Sequence, residues 1–241
     1  MVSEIMSLQH PLVKECVRLR NEKSARAESG KVLLIGGKMI RELSQRIELL
    51  TIFSTTPATH LRAKEHFLIT EEILQKITGL PAPDGLAAIA SIPTPQSLNG
   101  KNRILILDKI ADPGNLGTLL RTALAMNWDG VIFTPGTVDP FNDKALRASK
   151  GAIFFLPYAH PSLEELAAIV KPLYIYLADL EGTPLSKATF QEPLAMILSN
   201  EGAGASAWSK AQKISIPMHN NVESLNVAIS GAILLYSMSK P

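Results

Sequence analysis

Polar loops that follow short apolar strands carry the residues of this sequence that could do chemistry. The first is "DKIADPGNLGTLLRTALAMNW" (108–128), directly after the apolar run "RILIL". Asp112–Gly114 predicts a turn, Asn115 stands at the expected N-cap of a helix, and Arg121 lies inside that helix. Their structural alternatives are a helix cap for Asn115 and a surface salt bridge for Arg121.

A strand, a Gly/Pro loop and a helix form the usual setting of a nucleotide-phosphate cradle, but the residues of this loop do not fit one. The pattern G-x-x-x-x-G-K-[ST] is absent, and Gly114 with Gly117 does not complete G-x-G-x-x-G. A nucleotide-binding α/β enzyme of the small-molecule class is therefore disfavoured.

A second loop, "ILSNEGAG" (197–204), places Asn200, Glu201 and two glycines after a strand. Glycines at Gly202 and Gly204 let the backbone approach a ligand closely and expose its N–H groups. The alternative is a simple turn before a short helix.

A third loop lies within "ISIPMHNNVESLNVAISGAILLY" (214–236). A strand is expected to end at Pro217, and a helix is expected to begin near residue 223, with Ser224 and Asn226 in its first turn. Gly231, inside an otherwise apolar helix, predicts close packing against another element. Helix capping is the structural alternative for the polar residues.

The elements around these loops predict an α/β fold. Helices are expected at 115–126, 142–149, 162–170 and 223–238, between the strands "RILIL", "GVIF", "IFFLPY", "LYIYLA", "LAMIL" and "KISIP". Short continuous apolar strands between helices predict a mostly parallel sheet with helices on both faces. Ligands of such sheets bind at the loops beyond the carboxyl ends of the strands.

A smaller alternation of helices and strands precedes this one. We predict a small N-terminal α/β domain at 1–92, a linker at 93–102 and a second domain at 103–241, because "SIPTPQSLNGKN" (91–102) is rich in Pro, Ser, Asn and Gly and lacks periodicity. Residues 13–46 hold nine basic and four acidic side chains although the net charge is only +2. That excess predicts a basic patch for a polyanion, with a solvated helix face as the alternative.

Cysteine use and hydropathy exclude other classes of protein. The single cysteine, Cys16, cannot form an internal disulfide, and no Cys/His cluster has metal-ligand spacing, so no metal is expected. The apolar stretch "VAISGAILLYSM" is too short for a membrane span of ~20 residues. The N-terminus lacks an apolar signal core, and we expect a soluble cytoplasmic protein.

Taken together, the three loops resemble the SpoU-type RNA 2′-O-ribose methyltransferases of the SPOUT superfamily. "DKIADPGNLGTLLRTA" fills every position of the family's first motif, D-x-x-x-D-P-x-N-x-G-x-x-x-R-x-A. "SNEGAG" is similar to the second motif and "IPMHNNVESLNV" to the third, in the same order and over about 140 residues. Ser199 departs from the pattern, since many members have Gly before N-E-G.

The resemblance implies binding of S-adenosyl-L-methionine in a C-terminal trefoil knot, and a homodimer. The N-terminal "SLQHPLVK" and "KVLLIGGKMIREL" are similar to a ribosomal-protein-like substrate domain, with Gly36 where members often have Glu. This similarity implies an RNA partner, with ribosomal RNA expected and transfer RNA as the alternative. A non-catalytic RNA-binding protein on the same scaffold is a further alternative.

The resemblance also implies roles for individual residues. It implies that Ile216 and Leu225 lie on either side of the adenine of the bound cofactor. The full set of implied cofactor-binding residues is Ser199, Asn200, Glu201, Gly202, Ile216, Pro217, Met218 and Leu225. It implies catalytic positions at Asn115, Arg121, Glu201, Ser224 and Asn226. In the family, the arginine of the first motif, here Arg121, is usually proposed as the base that takes the proton of the ribose hydroxyl. Neutralising an arginine at pH 7 costs roughly 7 kcal/mol. The second hypothesis, a cation that fixes the neighbouring phosphate and stabilises charge on the ribose oxygen, needs less energy.

Overall fold

The chain forms two packing units in the computed structural model, which describes residues 2–199, 208, 210–220 and 222–239. The first unit comprises Met1–Pro93 together with Phe141–Gly151. The second comprises Thr94–Pro140 together with Ala152–Pro241. Each unit is built on its own β-sheet.

A mixed sheet forms the centre of the first unit. Its strands are β1 (Val2–Ile5), β2 (Lys31–Ile35), β3 (Leu49–Ser54), β4 (Ala63–Ile69) and β5 (Leu86–Ser91), and the helices beside them are α1 (Pro11–Asn21), α2 (Lys23–Ser29), α3 (Gly37–Ser44) and α4 (Glu71–Thr78). The strand order is β1-β4-β3-β5-β2. β4 runs parallel to β1 and β3, whereas β5 runs antiparallel to β2 and β3.

Helix α4 begins after a threonine and ends at a glycine, residue types that favour the two ends of a helix. The Thr70 hydroxyl accepts a hydrogen bond from the backbone N–H of Ile73 at 3.3 Å. Gly79 follows the last turn in the left-handed conformation, with φ of 68°. A threonine N-cap and a glycine C-cap satisfy backbone groups that a helix leaves unpaired at its two ends.

Strands β1 and β4 were not predicted from the sequence. β4 begins with Ala63, Lys64 and Glu65, and this end of the strand is exposed or half-buried. It lacks the continuous apolar run of a buried strand, and its pairing with β1 and β3 determines its conformation. Such tertiary pairing overrides local propensity in strands.

An all-parallel sheet forms the centre of the second unit within the described residues. Its strands are β6 (Arg103–Asp108), β7 (Gly130–Phe133), β8 (Tyr158–Ala159), β9 (Tyr174–Pro184), β10 (Leu194–Ser199) and β11 (Gln212–Ser215), in the order β11-β9-β10-β6-β7-β8. The remaining helices are α5 (Pro113–Ala125), α6 (Asp143–Ser149), α7 (Leu163–Val170) and α8 (Val227–Met238). The predicted mostly parallel α/β sheet is confirmed.

Helices cover both faces of this parallel sheet. On one face, Leu166 of α7 joins a buried cluster with Ile104, Ile106 and Ile197 of the strands. On the other, a Cβ added at Gly231 of α8 would lie 2.3 Å from Leu119 of α5 and 2.6 Å from Leu198 of β10. The predicted close packing at Gly231 is therefore confirmed, and the core lies between the sheet and these helices.

Several predicted element boundaries are wrong, among them the end of β11, which lies at Ser215 rather than Pro217. "IFFLPY" is not one strand, because residues Ala152–Phe154 form a 3₁₀ turn and the strand is limited to Tyr158–Ala159. A short buried apolar run does not distinguish these conformations. Helix α5 starts at Pro113 rather than 115, since proline suits the first helical position, and α8 starts at Val227 rather than 223.

The packing units differ from the predicted division of the chain. Leu98, inside the predicted linker, is only 1 % exposed and belongs to the core of the second unit. The segment Phe141–Gly151, which contains α6, packs with the first unit. There a Cβ on Gly151, whose φ is 75°, would lie 3.1 Å from Leu43. A unit made of two chain segments cannot be found from linker composition alone.

Searches for a membrane-spanning helix and for a metal-binding cluster apply to the residues that the structure describes. Within them, no helix is long and apolar enough to cross a membrane. The same residues contain no group of three or more His, Cys, Asp or Glu side chains arranged to hold a metal ion.

Substitution Gly231→Leu is expected to destabilise the protein. The added side chain has no space between Leu119 and Leu198, and overpacking of a core costs about 1–3 kcal/mol. We expect thermal unfolding to begin several degrees lower than in the original protein. The control is Ala232→Leu at the next, half-exposed position of α8, and equal melting temperatures for the two variants would contradict the packing argument.

Candidate active site

The N-terminus of α5 fixes the position of Asn115. Asp112, not Asn115, is the N-cap, and its carboxylate accepts a hydrogen bond from the backbone N–H of Asn115 at 2.8 Å. The prediction that Asn115 caps the helix is therefore wrong, because the cap lies three residues earlier. This placement leaves the side chain of Asn115 available for contacts outside its own helix.

The N-terminus of α8 meets that side chain. Asn226 is the N-cap of α8, and its amide oxygen accepts from the backbone N–H of Ala228 at 2.9 Å. Its amide nitrogen donates to the side-chain oxygen of Asn115 at 3.0 Å. Two predicted catalytic residues, 111 positions apart in the chain, are thus in direct contact.

Arg121 lies on α5, six residues after Asn115, and is exposed. Nothing among the described residues pairs with its guanidinium through a hydrogen bond or ion pair. The predicted salt bridge, its structural alternative, is therefore absent from that part of the chain.

A cavity lies at the carboxyl ends of β10 and β11, beside residues 178–180 of β9 and the start of α8. Most of the described residues predicted to bind the cofactor line it, namely Ser199, Ile216, Met218 and Leu225, and Ser224 joins them. Its other walls include aliphatic side chains of β11 and α8, among them Ile214, Val227 and Leu234. The second and third predicted loops thus contribute to one cavity.

Other predicted residues lie elsewhere. Pro217 lines a separate cavity of about 590 Å³ with Arg103 and Phe190. Asn115, Arg121 and Asn226 are not part of the first cavity's lining. Three predicted residues of the second loop, Asn200, Glu201 and Gly202, lie outside the described residues.

The first cavity encloses about 110 Å³. Pockets that bury a whole drug-sized ligand measure roughly 300–1,000 Å³. Its described walls therefore enclose only a ring-sized part of a larger ligand. Their aliphatic side chains suit the faces of a flat heterocycle, which is the environment predicted for an adenine between Ile216 and Leu225.

One wall of the cavity was not predicted from the sequence. It consists of Ala178, Asp179 and Leu180, near the middle of β9. The local signal was "ADLEG", in which two acidic residues and a glycine follow the apolar run "LYIYL". Ala178 directly follows the part of β9 that pairs with β10, and parallel sheets bind ligands at this end of their paired strands.

The carboxylate of Asp179 is held by two donors. The ammonium of Lys213 lies 2.9 Å from one oxygen, and the backbone N–H of Glu181 donates to the other at 2.9 Å. The hydrogen bond from Lys213, followed by that from the Glu181 backbone, lowers the pKa of Asp179 below its ordinary value. Asp179 is therefore ionised at neutral pH.

A second carboxylate, Asp108, lies at the end of β6 and is 5 % exposed. Its two oxygens accept from the Thr134 hydroxyl at 2.6 Å and from the indole N–H of Trp208 at 3.1 Å. The second of these bonds holds Trp208 at the end of β6. Asp108 opens the first predicted motif, and its place gives it a structural role.

Comparisons with known proteins identify the family to which these motifs and this fold correspond. The SpoU rRNA Methylase family matches residues 102–236. A Bacillus subtilis protein named 23S rRNA (guanosine(2553)-2′-O)-methyltransferase RlmP is 28 % identical, over 98 % of this chain and 99 % of its own. The AdoMet-bound rRNA methyltransferase of Sinorhizobium meliloti has the same fold, with a TM-score of 0.83, 24 % identity and coverage of 98 % and 97 %.

A further crystal structure, described as an RNA 2′-O ribose methyltransferase, is 29 % identical with a TM-score of 0.77, over 97 % of each chain. The resemblance inferred from the three motifs is therefore confirmed. The matched region contains the first motif, the cavity and most of α8. This chain belongs to the SpoU rRNA Methylase family.

Proposed function

We propose that this protein is an S-adenosyl-L-methionine-dependent methyltransferase that modifies a ribose 2′-hydroxyl of ribosomal RNA. Family membership and the name of the Bacillus subtilis relative support this reaction. The observation that carries it is the hydrogen bond between Asn115 and Asn226. It brings the first and third motifs together next to a cavity lined by residues of the second and third.

The cavity lining fits the proposed cofactor. Ile216 and Leu225 offer apolar surface for the adenine, while Ser199 and Met218 add backbone groups from the two loops. When bound, S-adenosylmethionine supplies the methyl group and a sulfonium leaving group, so no metal is required. We propose that Asn200, Glu201 and Gly202 complete the cofactor site, as the family resemblance implies.

The protein's own residues must align the ribose hydroxyl and manage its proton. We propose that the amide pair of Asn115 and Asn226, with Ser224 and Glu201, orients the ribose. Arg121 then acts on the ribose oxygen and its phosphate. Its exposure, without a described partner, supports the cationic role, because an arginine open to water keeps its charge.

Transfer of labelled methyl groups to RNA tests the proposal. We expect the purified protein to label ribosomal RNA from a strain that lacks it, and nuclease mapping to place the label on one ribose. Arg121→Ala should lower the rate at least about 100-fold, the range for loss of a charge-stabilising donor. The same assay with transfer RNA tests the alternative substrate. Label on a base, or none on either RNA, would refute the assignment.

The pH dependence of Arg121→Lys separates its two roles. Lysine keeps the positive charge but loses the bidentate geometry of a guanidinium. A clamp role predicts no recovery of activity at any pH, whereas a base role predicts recovery with a shifted acid limb. The measurement is single-turnover rate against pH with saturating RNA, and Arg121→Ala gives the baseline.

We propose that the protein acts as a homodimer that uses α8. Ile229, Ile233 and Tyr236 are 54 %, 36 % and 72 % exposed and fall at i, i+4 and i+7, so they share one face of the helix. An aliphatic and aromatic stripe of this kind is typical of protein interfaces. The opposite face, with Leu234 and Leu235, is buried in the unit's own core.

Charge placed on this stripe should dissociate the dimer. We expect light scattering to give twice the chain mass for the original protein and the mass of one chain for Ile233→Glu with Tyr236→Glu. Leu163→Glu, at a 77 % exposed position on α7, is the matched control and should remain dimeric. A monomeric original protein, or a dimer in the double variant, would contradict this interface.

The basic patch predicted at 13–46 needs revision. Arg26 is 4 % exposed and donates to the backbone oxygens of Leu19 and Arg20, while Arg20 donates to those of Lys76 and Ile77. These two arginines therefore stabilise the fold. The exposed members that form no ion pair with a described residue include three lysines, Lys14, Lys23 and Lys38. We propose that these lysines contact RNA phosphates.

Replacement of Lys14, Lys23 and Lys38 by Glu should weaken RNA binding and leave cofactor binding unchanged. Each lost phosphate contact lowers the slope of log affinity against log salt by about 0.7–0.9, so three contacts lower it by roughly 2–3. The control replaces Lys64, Lys171 and Lys187, which are exposed elsewhere. Equal salt slopes in the two triple variants would argue against the patch.

The remaining expectations from the family stay proposals. We propose a trefoil knot in the C-terminal part, supported by the return of the chain from β11, at the sheet edge, to α8 against β10. We also propose that 1–92 is an RNA-binding domain and that 103–241 is the catalytic domain, connected by 93–102, of which Leu98 packs in the second unit. We further propose that the protein works in the cytoplasm, where its RNA substrate is found.

A further inference from the structure

Strand β9 loses its regular pairing with β11 where it borders the cavity. Leu177 pairs with Lys213 of β11, and the next residue of β11, Ile214, pairs with Thr183. Residues 178–182 therefore have no partner on β11 and form an excursion from the sheet. This excursion supplies the cavity wall made of Ala178, Asp179 and Leu180.

Several contacts give the excursion a defined conformation. The Ser215 hydroxyl donates to the backbone oxygen of Gly182 at 2.8 Å. A Cβ on Gly182 would lie 2.5 Å from the backbone nitrogen of Ile214, so only glycine permits this close approach. Lys213 and the Glu181 N–H hold the carboxylate of Asp179 from outside the cavity lining.

The carboxylate retains acceptor capacity for a ligand. An ionised carboxylate offers about four acceptor positions, and the two donors described above occupy one on each oxygen. The side chain of Asp179 is 18 % exposed and lines the cavity. A ligand in the cavity therefore meets a fixed acceptor that can bind hydroxyl or ammonium donors.

The strand order indicates which part of the ligand lies there. Ile216 follows β11, and the amide pair of Asn115 and Asn226 is at the start of the helix that follows β6. β9 lies between these strands in the order β11-β9-β10-β6, about 10 Å from β6. With the adenine near Ile216 and the methyl group near Asn115, the ribose of the adenosine is the part between them.

We propose that Asp179 is a further cofactor-binding residue, whose carboxylate accepts hydrogen bonds from the ribose hydroxyls of the bound adenosine. Carboxylates perform this role for the ribose of dinucleotides on other parallel sheets. Lys213 and the excursion orient the carboxylate. The proposal rests on the proposed function, because it takes the cavity as the adenosine site.

Calorimetric titration of the full chain with three ligands tests this role. S-adenosylhomocysteine carries both the ribose hydroxyls and an ammonium, 5′-methylthioadenosine keeps only the hydroxyls, and its 2′,3′-dideoxy form has neither. We expect Asp179→Ala to weaken binding of the first two by the same factor, about 10-fold or more for hydrogen bonds to a charged group. Binding of the dideoxy ligand should be unchanged.

Three variants complete the design. Asp179→Asn keeps the shape of the side chain and should lose affinity in the same ligand pattern, which covers the case of a misfolded alanine variant. Lys213→Met should cause a smaller loss that disappears in the background of Asp179→Ala. Glu181→Gln removes a neighbouring charge from the exposed side of the excursion and should bind all three ligands normally.

The outcomes separate this inference from the proposed function. Loss of S-adenosylhomocysteine binding alone would assign Asp179 to the ammonium, and equal loss for all three ligands would make it a purely structural residue; either result overturns the proposal. Normal binding by both Asp179 variants also overturns it while the cofactor site stands. An original protein that binds none of the ligands would refute the cofactor site itself.

Discussion

The contact of α8 with α5 and β10 at Gly231 is the packing constraint on which the site depends. Leu119 and Leu198 occupy the space that a side chain at this position would need. Leu119 lies one turn after Asn115, and Gly231 lies five residues after Asn226. Because the helices meet at these points, their N-termini are close enough for the two asparagine side chains to share a hydrogen bond.

The sequence was informative where chemistry is encoded in continuous segments. The motif around Arg121 and the loop at Ile216 are recognisable from sequence, since their residue types stand in a fixed local order. The sheet and the glycine contact at Gly231 also followed from local patterns. The cavity brings the residues of two such segments together, as the rule for parallel sheets predicts.

The sequence was uninformative where position depends on pairing between distant segments. Asp112 and Asn115 are both good N-cap residues, and only the start of α5 at Pro113 decides between them. The excursion at Asp179 exists because β11 changes register beside it. The packing of Phe141–Gly151 with the first unit likewise depends on surfaces distant in the chain.

The surroundings of Arg121 bear on how it could act. A neutral arginine requires burial away from water, since roughly 7 kcal/mol must be recovered at pH 7, and the side chain is exposed within the described residues. A partner protomer could bury it, but an RNA phosphate brought beside it would favour the charged form again. On the proposed function, an RNA phosphate beside Arg121 would oppose loss of its proton, so the proposal favours alignment of the ribose and stabilisation of charge as the role of this arginine.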